Sequence, residues 1–182
     1  MTVETGLVRI NCGAGEYPLP GFLNIEKDPL IPADIHASVP PLPFENESVD
    51  EVFGCHFLEH LSQQRATRFL NEAYRVLKPG GKLGLVVPDM QQIMLAWLSK
   101  AGRRFECPPG RYWDLDDLDD VNGIFIFSTC QDSHHQWSYC LETLGRAMTK
   151  AGFQITDEID RINDPRLGTG QWLQCGLQAV KP

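Results

Sequence analysis

The residues richest in chemistry lie close together: His56-Phe57-Leu58-Glu59-His60. An imidazole titrates near neutrality and can act as a general base, and a His/Glu/His set is also a donor set that zinc accepts. At helical spacing, positions 56, 59 and 60 share one face. The same letters form the inverted zincin signature, HxxEH, but that site needs a long helix and a further distant ligand. A second imidazole pair, His134-His135, stands just before Trp137. It either reaches a site from a distance or caps the helix that follows.

A different chemistry is suggested by Gly13-Ala14-Gly15, which follows the apolar Leu7, Val8 and Ile10, with Glu26 arriving 11 positions after Gly15. A strand leading into such a turn can cradle a phosphate or a ribose. In a dinucleotide site the acid follows roughly 20 positions on, after a full helix. Here Pro18, Pro20 and Gly21 occupy that interval, so the loop is either a cofactor turn without its helix or a plain glycine turn. The six cysteines (12, 55, 107, 130, 140, 175) contain no CxxC pair. They suit reduced, mostly buried thiols of a cytoplasmic chain.

These residues need elements to position them. Residues 7–12, Phe22–Glu26, Ala33–Ala37 and Val49–Cys55 read as strands. The spacing of Ala66, Phe69, Leu70, Ala73 and Leu77 predicts a helix over Ser62–Leu77, capped by Ser62 and ended by Pro79-Gly80-Gly81. Leu83–Val87 is a continuous apolar run, as in a strand covered on both faces. Asp89 caps a further helix expected to bury Ile93, Met94, Trp97 and Leu98. Residues 103–137 are rich in proline, acid and aromatics and read as a long variable loop, the segment best placed to cover a substrate. A helix over Ser138–Ala151 with Gly152 beyond it, then strands Phe153–Ile159 and Trp172–Val180 paired as a hairpin, complete the chain.

The alternation implies a three-layer α/β fold with a mainly parallel sheet, and 182 residues suit one domain spanning 1–182. A net charge of -8 argues against a nucleic-acid partner, and no apolar run approaches the ~20 residues of a membrane span. The expected compartment is the cytoplasm.

Three ordered blocks then resemble the small class I S-adenosylmethionine (SAM)-dependent methyltransferases of the methyltransferase type 11 kind. They are INCGAG…GFLNIE, PLPFENESVDEVFGCHFLEHL and ATRFLNEAYRVLKPGGKLGLVVPD. The resemblance implies a Rossmann-like sheet of about seven strands, mostly parallel with one antiparallel C-terminal strand. SAM would lie over the C-terminal ends of the first strands. On that pattern Asn11, Cys12, Gly13, Ala14 and Gly15 form the cofactor loop and Glu26 holds the ribose, with Asp28 as its rival. Ser38 stands where many relatives carry an adenine-binding acid; Asp34 lies nearer the strand start. Leu42 and Phe44 wall the adenine or belong to the core, and Cys55 and His56 flank the pocket.

SAM needs no long helix N-terminus because it has no pyrophosphate, which makes the short loop acceptable. The acceptor is expected to be a small molecule with an oxygen nucleophile, since no Asp/Asn-Pro-Pro-Tyr/Phe motif follows strand four. His56, and His135 from the variable segment, are the candidate catalytic bases. No metal is expected, although His56, Glu59 and His60 merit consideration. Little chain precedes the first strand, so specificity is expected from residues 103–137 or from a second copy in a homodimer. Two other readings stay open: a SAM- or nucleoside-binding protein that transfers no methyl group, and a metal-dependent hydrolase using His56, Glu59 and His60.

Overall fold

The apolar stripe read from the sequence becomes helix α1, Gln63–Val76, with Ala66, Phe69, Leu70, Ala73 and Val76 all buried. Ser62 Oγ accepts the Arg65 amide at 3.4 Å and starts it. Burying Phe69 alone contributes about 1.5–3 kcal/mol. The chain is described by a computed structural model at residues 6–99, 104–106, 112–114, 135–159 and 173–182.

Strand β1 (Arg9–Cys12) carries its apolar residues into the core. It is followed by β2 (Leu23–Glu26), the short β3 (Ile35–His36) and β4 (Val49–Cys55). A one-turn 3-10 helix, Leu58–His60, links β4 to α1. Strand β5 (Leu77–Pro88) starts directly after α1, earlier than the sequence suggests. It takes in Pro79-Gly80-Gly81 through a register shift, Val49 facing Leu77 while Glu51 faces Lys82. Helix α2 (Met90–Ser99) comes next, its start capped by Asp89 Oδ1, which accepts the Gln91 amide at 2.9 Å.

Within the segment read as a loop, β6 (Arg104–Glu106) and β7 (Tyr112–Asp114) pair as an antiparallel ribbon. Most of that segment, with His134 and Trp172, lies outside the described residues. Helix α3 (Leu141–Lys150) begins three residues later than expected, because Cys140 is extended and exchanges capping contacts with Thr143. Strands β8 (Gln154–Glu158) and β9 (Gln174–Val180) form the expected antiparallel pair.

The seven-stranded sheet has the order β3-β2-β1-β4-β5-β9-β8. Strand β9 runs antiparallel to both β5 and β8, and the remaining pairs are parallel. Strand β1 has β2 on one side and β4 on the other. The chain order reverses there, which opens a crevice beyond the C-terminal strand ends, the usual ligand position in open α/β sheets.

Helix α2 departs from its expected packing. Ile93 is buried, whereas Met94 is 44% and Leu98 67% exposed, and Leu95 is exposed as well. The helix is apolar on more than one face, and among its described side chains Ile93 is the one the core takes in. The side chain of Trp97 lies outside the described residues. No described helix is long and apolar enough to cross a membrane.

Candidate active site

At the end of β1 the chain turns through Gly13 (φ 70°) and Gly15 (φ 54°), left-handed conformations that glycine adopts without penalty. The Gly13 and Ala14 amides donate to the Ile25 carbonyl at 2.9 and 3.1 Å, which pins the loop to β2. A Cβ on Gly13 would stand 2.7 Å from Phe57 Cδ2, so the ring of Phe57 occupies the space that glycine leaves. A Cβ on Gly15 would meet nothing within 4 Å.

Glu26 closes the same turn. Its Oε2 accepts the Gly15 amide at 3.0 Å, and its Oε1 accepts the amides of Lys27 (2.7 Å) and Asp28 (3.1 Å). A carboxylate has about four acceptor positions, so capacity remains for a ligand hydroxyl. Asp28, whose Oδ1 accepts the Leu30 amide and caps its own turn, is not among the residues lining the cleft described below. Asp34 is likewise committed, its Oδ2 accepting both the amide and side-chain nitrogen of Asn24.

The corner after β4 supplies the second wall. His56 sits at φ 51°, strained for a residue with a Cβ, and its amide donates to the Val86 carbonyl at 3.0 Å. The imidazole Nδ1 lies 3.0 Å from Glu59 Oε1. Glu59 is only 1% exposed. Burial pushes its carboxyl up, but the hydrogen bond to His56 and the charges of His56, His60 and His135 outweigh that and hold it below the usual carboxylate range.

His135 packs beside it at 3% exposure, with its ring edge-to-face on His60 at 4.7 Å between centroids. Burial drives His135 down to about 4, against the pull of Glu59 and with help from the charges of His60 and His56. The backbone locks this arrangement, because the amides of Gln136 and Trp137 both donate to the Glu59 carbonyl, at 2.7 and 3.2 Å.

Between the two walls lies a cleft of about 350 Å³, within the range usual for small-ligand sites. Five residues expected from the sequence line it: Gly13, Gly15, Glu26, Ser38 and His56. Six others stand elsewhere. Asn11, Cys12, Ala14, Leu42 and Cys55 are sealed beneath the cleft at 2% exposure or less. Asn11 donates to Asn24 Oδ1 at 3.0 Å, tying β1 to β2. Leu42 is a core residue whose amide donates to Glu72 Oε2. Burial raises the Cys12 thiol to about 12, which leaves it inert at neutral pH. His135 lies behind the wall, against Glu59.

Residues that sequence reasoning missed include Phe57, Arg65 and Gln136. Arg65 Nη2 donates to Ser38 Oγ at 3.2 Å and to the Val39 carbonyl at 3.1 Å. It therefore fixes the loop after β3 at the far end of the cleft. Its signal was slight: a cation in the first turn of α1, where the helix dipole disfavours one.

The chain is similar to known proteins in part of its sequence and in its fold. Residues 20–85 match a family described as a methyltransferase domain. No curated protein sequence matches the chain. Among solved structures, a SAM-dependent methyltransferase of Thermotoga maritima is similar at a TM-score of 0.62 and 17% identity, over 96% of this chain and 82% of that one. One from Mesorhizobium loti gives 0.59 and 14%, over 99% and 93% of the two chains. A Haloferax volcanii methyltransferase solved in complex with the activator Trm112 gives 0.58 and 15%, over 100% and 85%. Residues 20–85 thus match a methyltransferase-domain family, and the chain as a whole shares the fold of these SAM-dependent methyltransferases.

Proposed function

We propose that the protein binds SAM in the cleft at the β1/β4 switch point and moves its methyl group to an oxygen of a small molecule. The observation that carries this is the meeting of Gly13, Gly15, Glu26, Ser38 and His56 around one cleft. The residues fit the cofactor. Gly15 leaves open space where any other residue would place a Cβ, and Glu26 keeps acceptor capacity for ribose hydroxyls. The Gly13–Gly15 turn would take the methionine portion. Ser38, steadied by Arg65, would face the adenine end.

Bound there, SAM would offer an electrophilic methyl carbon to the acceptor oxygen, with the C–S electron pair left on sulfur. The chain must align the acceptor, exclude water and take its proton. His56 is the group suited to the last task. With Nδ1–H held by the buried Glu59 carboxylate, the basic nitrogen of its neutral ring is Nε2. Residues 103–137, or a second copy of the chain, would then set which acceptor is admitted.

The test is to incubate the purified chain with methyl-labelled SAM and a panel of phenolic, sugar and carboxylic acceptors. The expected result is S-adenosylhomocysteine formed with labelled methyl on oxygen in at least one case. Methyl found only on nitrogen or carbon would overturn the oxygen reading, and SAM binding without turnover across the panel would favour a SAM-binding protein that transfers nothing.

A further inference from the structure

We propose that Glu59, His60 and His135 form a divalent-metal site at the edge of the cleft. Their ligand-capable atoms, one per residue, lie within 4.8 Å of one another. Donors around a bound zinc-like ion sit about 2.0–2.2 Å from it, so small side-chain adjustments close the set.

The chemistry of Glu59 points the same way. Its Oε1 is bonded to His56, whereas its Oε2 is buried with no hydrogen-bond partner among the described residues. A buried carboxylate oxygen left unsatisfied asks for a cation or a proton donor. Two imidazoles stand beside it.

The site is also built in advance. His60 leaves the one-turn helix after β4, and His135 arrives from a distant part of the chain. The amides of Gln136 and Trp137, on the Glu59 carbonyl, hold those two stretches together. His56, through Nδ1, then plays the outer role that orients a ligating carboxylate. This differs from the HxxEH pattern in sequence, which takes His56 as a ligand and leaves out His135.

Two imidazoles and one carboxylate suit Zn²⁺, Mn²⁺, Fe²⁺ or Co²⁺ better than Mg²⁺ or Ca²⁺. Three protein ligands leave positions open for water or a substrate oxygen. Because His60 itself lines the cleft, those positions can serve an acceptor hydroxyl. Only this assignment of the open positions rests on the methyl-transfer reading; binding of the metal does not.

The experiment strips the full chain with chelator and titrates it with Co²⁺ and Zn²⁺, with and without SAM. The same titrations are run on His135→Ala and His60→Ala. The expected result is one equivalent of Co²⁺ giving visible d–d absorption, with affinity roughly tenfold or more weaker in each variant. The wild-type complex should show two paramagnetically shifted imidazole N–H signals, a readout that holds even where a variant does not fold. No stoichiometric uptake, or uptake unchanged in both variants, overturns the site. SAM binding without metal uptake refutes the metal site alone, and metal uptake without SAM binding refutes the methyltransferase reading alone.

Discussion

Replacing each glycine of the β1 turn by alanine separates two roles that look alike in sequence. Both Gly13 and Gly15 have left-handed backbones, at φ 70° and 54°. Alanine at either position pays roughly 1–2 kcal/mol for that conformation. At Gly15 the new methyl meets nothing within 4 Å, so the stability loss ends there. At Gly13 it meets Phe57 Cδ2 at 2.7 Å, and Phe57 packs edge-on against the buried Phe69 at 4.9 Å between centroids. The ring cannot swing aside without disturbing the core, which adds about 1–3 kcal/mol of overpacking. Gly13→Ala should therefore cost about 2–5 kcal/mol and Gly15→Ala about 1–2 kcal/mol.

Urea denaturation measures both. At about 2–4 °C per kcal/mol for a chain of this size, thermal melting should show the same order. Shortening the ring in a Gly13→Ala, Phe57→Leu double variant should recover part of the contact loss, a non-additivity visible in a double-mutant cycle. Gly15→Ala, in turn, should weaken SAM binding more than its small stability loss suggests, because Gly15 lines the cleft. Equal stability losses at the two glycines, with no coupling between Gly13→Ala and Phe57→Leu, would refute this account of the turn.

Three further outcomes follow from named contacts. His56→Asn tolerates the left-handed backbone but removes the base, so kcat should fall by about 10²–10⁴-fold with SAM affinity retained; single-turnover kinetics with a known acceptor read this. Arg75 binds the carbonyls of Leu42 and Phe44 and both oxygens of Glu72. Arg75→Ala should thus cost about 2–4 kcal/mol in urea denaturation, as a network is lost. At pH 8 Cys12 and Cys175 should resist alkylation in the folded chain, burial having raised both thiols, whereas partly exposed Cys140 should react; mass spectrometry after iodoacetamide locates the label.

Local pattern made much of the fold readable before any coordinates. The Ala66, Phe69, Leu70, Ala73 stripe is a property of one helix face, and the Leu83–Val87 run reports a strand covered on both sides. Gly13, Gly15 and Glu26 were legible for a similar reason, since their spacing reflects one turn between adjacent strands. What escaped depends on partners far away in the chain. Arg65 reaches Ser38, and Leu42 sinks into the core because Glu72 and Arg75 hold its backbone. His135 meets Glu59 only because the neighbouring amides bind the Glu59 carbonyl. The apolar residues of α2 misled in the opposite sense: Met94 and Leu98 have core-like character and stand exposed.

The proposed seating of SAM in this cleft, with its ribose on Glu26, is read out by calorimetric titration of SAM and S-adenosylhomocysteine into wild type, Glu26→Ala and Glu26→Gln. Hydrogen bonds to a charged group contribute about 1.5–3 kcal/mol each, so Glu26→Ala should weaken binding by at least about tenfold. Glu26→Gln, which keeps an acceptor oxygen, should lose less. Binding that is identical in all three proteins, or absent from wild type, would contradict the account.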